Sequence, residues 1–291
     1  MAQLPVKKIY VDSQYSTSDS TSTSTFKFQL GRNVHLPQNT VFYLEDVCIP
    51  HSWYTIEPGI NDTFYFGFST AATPPSGIAN PFFVIYSPKL PSTNYTGSTL
   101  ATALQTALDT AVGLYNYNGY KSYFVVSYNV LTNSISITFT QTNVMLYIPS
   151  DNDLIANPAL FGYSGTTPPS CNELMGNQGN MRNYYTSSAS FFSGILSLNP
   201  FRNIFISSPN LGSFSTLGAR GESNIIKKVP VTSDYGYLIV DSFTSTHDFL
   251  DCSRLTLGTI EFNLRDVRGN LIPLHGAHVS FSIVFSTVDS Q

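Results

Sequence analysis

The chain of 291 residues is 42% hydrophobic and 14% aromatic, enough for a large core and somewhat more than one ordinary all-β domain requires. Charged residues make up only 11% and the net charge is −4, so little electrostatic repulsion opposes close packing against other protein in a dense assembly. Beyond the isolated pairs Lys7-Lys8 and Lys227-Lys228 there is no basic block, which argues against direct nucleic-acid contact and against membrane-surface binding driven by clustered positive charge.

Val6, Ile9 and Val11 open a first strand. The Ser/Thr-rich tract from Ser13 to Thr25 has almost nothing to bury and reads as a mobile loop, or as an arm docking on a neighbouring subunit. Phe26, Phe28 and Leu30 alternate as a short strand, and Thr40 to Ile49 forms a longer one stopped by Pro50. Trp53 leads into the turn-rich segment Glu57 to Asp62, where composition and pattern change.

From 62 to 199 the sequence predicts an inserted α/β subdomain. Strand signals fall at Phe64 to Phe68 and Phe82 to Tyr86. Leu100, Ala103, Leu104, Ala107, Leu108, Ala111 and Val112 then share one helical face, with Ser98 as N-cap and Gly113 as C-cap. Tyr123 to Tyr128 and Ser134 to Phe139, joined by a turn at Thr132-Asn133, form a hairpin for that helix to cover. Asp151 to Asn199 is irregular and predicts long loops.

Alternation returns at Asn203 to Ser207, Ile225 to Val231 and Tyr235 to Val240. The last stretch holds two strands and a bend. Ile260, Phe262 and Leu264 bury one face of the first strand, and Val279, Phe281, Ile283 and Phe285 one face of the second. Leu255 and Leu257 have the opposite parity, which a bulge at Gly258 would reconcile. Counting the opening strands, about eight lie outside the insertion, the number in a jelly roll. The fold class is therefore mainly β: a single jelly-roll β-sandwich from 1–61 plus 200–291, with the small α/β subdomain at 62–199.

Catalytic chemistry finds no positive signal. His35, His51, His247, His275 and His278 are scattered. In a strand His275 and His278 point to opposite faces, so they share a metal only if Gly276 bends the chain. Asp151-Asn-Asp153 lacks the glycine and terminal glutamate of a calcium loop and reads better as a helix start or turn. Tyr115, Tyr117, Tyr120, Tyr123 and Tyr128 are better suited to packing than to stacking bases, with Lys121 the one cation among them. No catalytic, cofactor-binding or metal residue is assigned, no cofactor is expected, and the chain is not read as an enzyme. Cys48, Cys171 and Cys252 have no CxxC spacing and leave at least one without an intrachain partner, which fits a reducing compartment. The N-terminus lacks the apolar run of a signal peptide, and no segment is apolar for long enough to span a bilayer.

Taken in order, Tyr10-Val-Asp-Ser13, Phe26-Lys-Phe28, Val41 to Pro50, Asn94-Tyr-Thr96 with the Leu100 to Ala107 helix and its hairpin, and Leu264 to Leu274 with Val279 to Ile283 resemble the penton, or minor capsid, proteins of virophages, polinton-like viruses and related double-jelly-roll DNA viruses. The resemblance implies an upright jelly roll at the five-fold vertices of an icosahedral virion. Its partners would be four more copies in a homopentamer, a double-jelly-roll major capsid protein and other minor capsid proteins. The protein would be made in the host cytoplasm and reside in the capsid. The alternative is a virion spike or a lectin-like jelly roll that binds a host glycan or receptor. A hydrolase on a β-sandwich ranks last, because no nucleophile and base can be named.

Overall fold

The computed structural model describes residues 7–70, 84–116, 120–165, 167–176, 184–211, 216–219, 221–242 and 248–287. The chain divides into two compact units, Met1–Trp53 with Phe201–Gln291, and Tyr54–Pro200. The inserted unit thus begins at Tyr54 rather than at 62. Local bonding explains the difference: Thr55 N donates to Asn94 Oδ1 at 3.0 Å, Glu57 N donates to Asn61 Oδ1 at 2.7 Å, and Lys89 meets the Asp62 carboxylate at 2.7 Å. Ile56 is fully buried in the inserted unit's own core.

The first unit opens with β1 (Lys7–Asp12), β2 (Thr25–His35) and β3 (Thr40–Pro50). The Ser/Thr tract folds back on β2 instead of extending as an arm. Thr17 N donates to Lys27 O at 2.9 Å, Lys27 N donates to Ser20 Oγ at 3.0 Å, and the Ser24 hydroxyl donates to the Ile272 carbonyl. With few apolar groups to bury, the tract is ordered by its hydroxyls, which bond locally to backbone.

The inserted unit holds β4 (Phe66–Ser69), β5 (Val84–Tyr86), α1 (Gly97–Val112), β6 (Tyr115–Asn116), β7 (Tyr120–Lys121), β8 (Phe124–Asn129), β9 (Ser134–Phe139), β10 (Met145–Tyr147), α2 (Asp151–Ala156), α3 (Pro158–Phe161), β11 (Tyr184–Thr186) and β12 (Phe191–Phe192). Of the expected strand Phe82 to Tyr86, the first two residues lie outside the described segments. Two sheets, ordered β11-β10-β4-β5 and β12-β9-β8, accompany the short pair β6-β7. Leu100, Leu104 and Leu108 of α1 share a buried cluster with Phe124, Ile135 and Ile137 of β8 and β9.

The cap of α1 is Thr96 rather than Ser98. Thr99 N donates to Thr96 Oγ1 and Thr96 N donates to Thr99 Oγ1, a reciprocal box that starts the helix one turn before the apolar face. Gly113 ends it at φ 77°. Gly97 is required for packing, since a Cβ there would lie 2.2 Å from the Tyr128 ring. The stretch read as long loops contains α2, α3, β11 and β12. Asp151-Asn-Asp153 is the first turn of α2, with Asp153 N donating to Ser150 Oγ at 3.2 Å and Ser150 N donating to Asp153 Oδ2 at 3.0 Å.

The chain then returns to the first unit with β13 (Asn203–Ser207), β14 (Ile225–Pro230), β15 (Leu238–Asp241), β16 (Leu250–Asp251), β17 (Thr256–Arg265) and β18 (Ser280–Thr287). One sheet is ordered β1-β18-β3-β15, with β16 also on β3, and the other β14-β13-β17-β2. Every pairing in these two sheets is antiparallel. Both sheets mix strands from the start and the end of the chain; with β15 and β16 sharing one edge position beside β3, these nine strands fill the eight places of a jelly roll.

The two closing strands β17 and β18 do not pair with each other. They lie in opposite sheets, and the rings of Phe262 and Phe281 meet edge to face at 4.9 Å. Phe262, Leu264, Phe281 and Ile283 are all buried. The register does break at Gly258, but the extra residues belong to β2: Leu257 pairs with Val34 while Thr259 pairs with Gln29. A Cβ at Gly258 would sit 2.8 Å from Oδ1 of Asn33 in that bulge, whose side chain would have to turn aside.

Candidate functional surfaces

The histidines do not converge. His51 is buried, packs its ring against Trp53 with centroids 4.2 Å apart at a 30° tilt, and donates from Nδ1 to Ser233 O at 2.7 Å. Burial holds its pKa below the ordinary value, against the opposing pull of the Ser233 carbonyl and Asp234. His275, in the left-handed region at φ 48°, bonds through Nδ1 to Ser52 O at 2.8 Å. His247 lies outside the described residues.

Two hydroxyl–imidazole contacts invite comparison with a catalytic dyad. Ser13 Oγ lies 3.2 Å from His278 Nδ1, and Thr256 Oγ1 lies 2.8 Å from His35 Nδ1. Ser13 Oγ already accepts Val279 N at 3.0 Å, so it ties β1 to the start of β18. Among the described residues no carboxylate orients either ring, which leaves both contacts short of a triad. Nor does any group of three or more His, Cys, Asp or Glu side chains among them form a metal cage. Cys171 is buried and its thiol is pushed far up by desolvation, while that of Cys252 is pushed up to about 12, so neither is an activated nucleophile.

The first unit offers surfaces instead. On its β1-β18-β3-β15 sheet, Lys8 pairs with Glu45, has the Asp46 carboxylate at 3.7 Å and lies 5.3 Å over the Tyr10 ring. At the far side of this sheet β15 pairs, among the described residues, only with β3, leaving an open edge, and Leu238 and Val240 stand exposed on it beside Tyr237. A groove of about 600 Å³ is lined by Tyr10, Tyr15 and Phe28 together with the carboxylates of Asp12 and Asp46. On the other sheet, a cavity of about 400 Å³ is lined by Phe205, Glu222, Asn263, Arg265 and Val267. Sequence reading passed over these surfaces because their members are single exposed residues drawn together from distant strands. The exposed alternate positions Leu238 and Val240 were the one legible signal.

Of the neighbouring tyrosines, Tyr123 packs on Phe68 at 5.1 Å and Tyr128 covers Gly97, so both serve the inserted unit's core. Tyr117 lies outside the described residues. Among the described residues no helix is long and apolar enough to cross a membrane.

No family model matches the chain and no curated protein matches it. Two solved structures are similar to it across nearly its whole length. One is the crystal structure of the mavirus penton protein, with 10% identity, a TM-score of 0.49, and coverage of 97% of this chain and 100% of that one. The other is the Sputnik virophage structure by cryo-EM, with 14% identity, a TM-score of 0.41, and coverage of 96% and 98%. The jelly-roll assignment itself rests on the strand order.

Proposed function

We propose that this chain is a structural, non-enzymatic capsid protein, the penton that closes the five-fold vertices of an icosahedral virion. The observation that carries the reading is the open β15 edge with Leu238, Val240 and Tyr237 exposed along it. In a lone soluble chain an unpaired edge flanked by apolar side chains is an aggregation hazard. In a ring it becomes an interface, and a head-to-tail contact repeated around an axis buries one such edge per subunit. The number five comes from the sequence resemblance alone, as do the surrounding double-jelly-roll major capsid protein and the other minor capsid partners. Synthesis in the host cytoplasm accords with the free thiols. A virion reconstruction tests the reading: density for this chain at the five-fold positions is the expected result, and density elsewhere overturns it.

The groove between Tyr10 and Tyr15 favours a second reading, a lectin-like spike. Aromatic faces beside carboxylates suit a sugar, which stacks by its apolar face and donates its hydroxyls. A glycan array separates the two. Binding that is lost in Tyr15→Ala supports the spike; an array without signal removes it.

A further inference from the structure

We propose that the tip of the β8–β9 hairpin is a lipid-contacting element, inserting shallowly into the headgroup–acyl boundary of a zwitterionic bilayer. At this tip Leu131 is 92% exposed and Val130 74%. Ile195, 73% exposed, joins them at the same end of the sheet, because the next residue, Leu196, donates its N–H to Asn133 O at 2.8 Å. Three large, exposed apolar residues therefore lie at one end of this sheet. Shallow insertion of exposed apolar side chains into the headgroup–acyl boundary takes such residues out of water.

The polar side chains around the tip are already engaged within the hairpin region. Asn129 Oδ1 accepts Leu131 N at 2.9 Å and Thr132 N at 3.4 Å, and the Thr132 and Ser134 hydroxyls bond at 2.7 Å. Asn133, at φ 46°, accepts the Tyr128 hydroxyl on Oδ1 at 3.0 Å and donates from Nδ2 to Leu196 O at 3.2 Å. Moving the tip out of water thus leaves few side-chain hydrogen bonds unmade, and its shape is fixed beforehand.

Charge points the same way. From Ser122 to Ser150 the sequence contains no Asp, Glu, Lys, Arg or His, so no ionised side chain of this stretch must be desolvated as the tip enters lipid. The same absence removes any attraction to anionic headgroups. Binding here is apolar, unlike the charge-driven membrane binding that the composition argues against. The inference stands apart from the vertex reading, since it concerns the inserted unit and can be tested on isolated protein.

The experiment is flotation of the full-length protein with phosphatidylcholine vesicles at millimolar lipid. Co-flotation is expected, unchanged by high salt or by added phosphatidylserine. Leu131→Asp and the double variant Val130→Asp/Leu131→Asp should lower partitioning roughly ten-fold or more while keeping the parent's melting curve. Val125→Asp, on an exposed position of the same strand away from the tip, should partition as the parent does. Failure of the parent to float overturns the proposal, as does a tip variant that melts normally and floats equally well. Loss of flotation in Val125→Asp to the same degree would place the contact on the sheet face and overturn it too. If Leu131→Asp changes only the sedimentation mass, the occupant is a second copy of the chain, and the lipid assignment fails.

Discussion

The jelly roll and the inserted unit both bury alternating side chains, but their chains close in opposite ways. In the jelly roll Lys7 pairs with Phe285 and Phe26 pairs with Phe262, so its sheets exist only once the two ends of the chain have met. In the inserted unit β8 pairs with β9 across a short turn, and α1, a short way before them in the chain, covers their inner face. Long-range closure carries a loop-entropy cost that local closure largely avoids. Local closure of this kind would let the inserted unit hold together by itself, whereas the jelly roll requires its two chain ends to meet.

That contrast can be broken by mutation. Phe281→Ala removes the ring that spans the two sheets and should destabilise the jelly roll by about 3–5 kcal/mol, read as a shift in its denaturation midpoint. An unchanged midpoint would show that this face is not the core.

In the inserted unit the sensitive point is a side chain on the helix. Gln105 Oε1 accepts Val126 N at 2.8 Å and its Nε2 donates to Phe124 O at 3.1 Å, so its amide caps β8 as a neighbouring strand would. Gln105→Leu leaves both backbone groups unmatched and should cost about 1–3 kcal/mol. Hydrogen exchange should report it, with Val126 N–H losing protection while jelly-roll amides keep theirs. Equal losses in both units would mean that they unfold as one.

Acid should separate the units more gently. Burial holds the folded pKa of His51 below the ordinary 6.5, so the unfolded chain binds the proton more readily. Its contribution to the jelly roll is complete above 6.5 and fades as pH falls through the folded value. Asp62 of the inserted unit is pushed up by burial, but Lys89, Gly59 N–H and the Thr63 hydroxyl outweigh this and hold it below 3.8. Its contribution lasts until pH drops below 3.8. On acidification the jelly roll should weaken first, and His51→Gln should flatten that early slope; a slope that persists would assign it to another group. The smallest effect is expected from replacing Tyr54–Pro200 by a short Gly/Ser linker. A β-rich, cooperatively melting remainder sharpens the comparison, and an unfolded one dissolves it.

Much of the local structure could be read from residue order. The alternation of Ile260, Phe262 and Leu264 marks a strand, and Leu100, Leu104 and Leu108 mark the face of α1, because both follow from the fixed periods of the backbone. Segments without periodicity hid more. β10, β11, β12 and α3 are short and bounded by irregular chain, and α1 is capped at Thr96 because a reciprocal hydroxyl box competes with a plausible Ser two residues later. The Ser/Thr tract looked empty, since hydrogen bonds to β2 and to Ile272 leave no mark in hydropathy.

By itself the sequence determined which faces are apolar, where the helix lies and that about eight strands flank an insertion. Tertiary structure decided that β17 and β18 stand in opposite sheets, that the unit boundary falls at Trp53, and that Leu238, Val240, Leu131 and Ile195 remain uncovered. The physical reason is that periodicity reports the side of a strand or helix but not its neighbour. Which apolar side chains find a cover is settled only when distant segments meet.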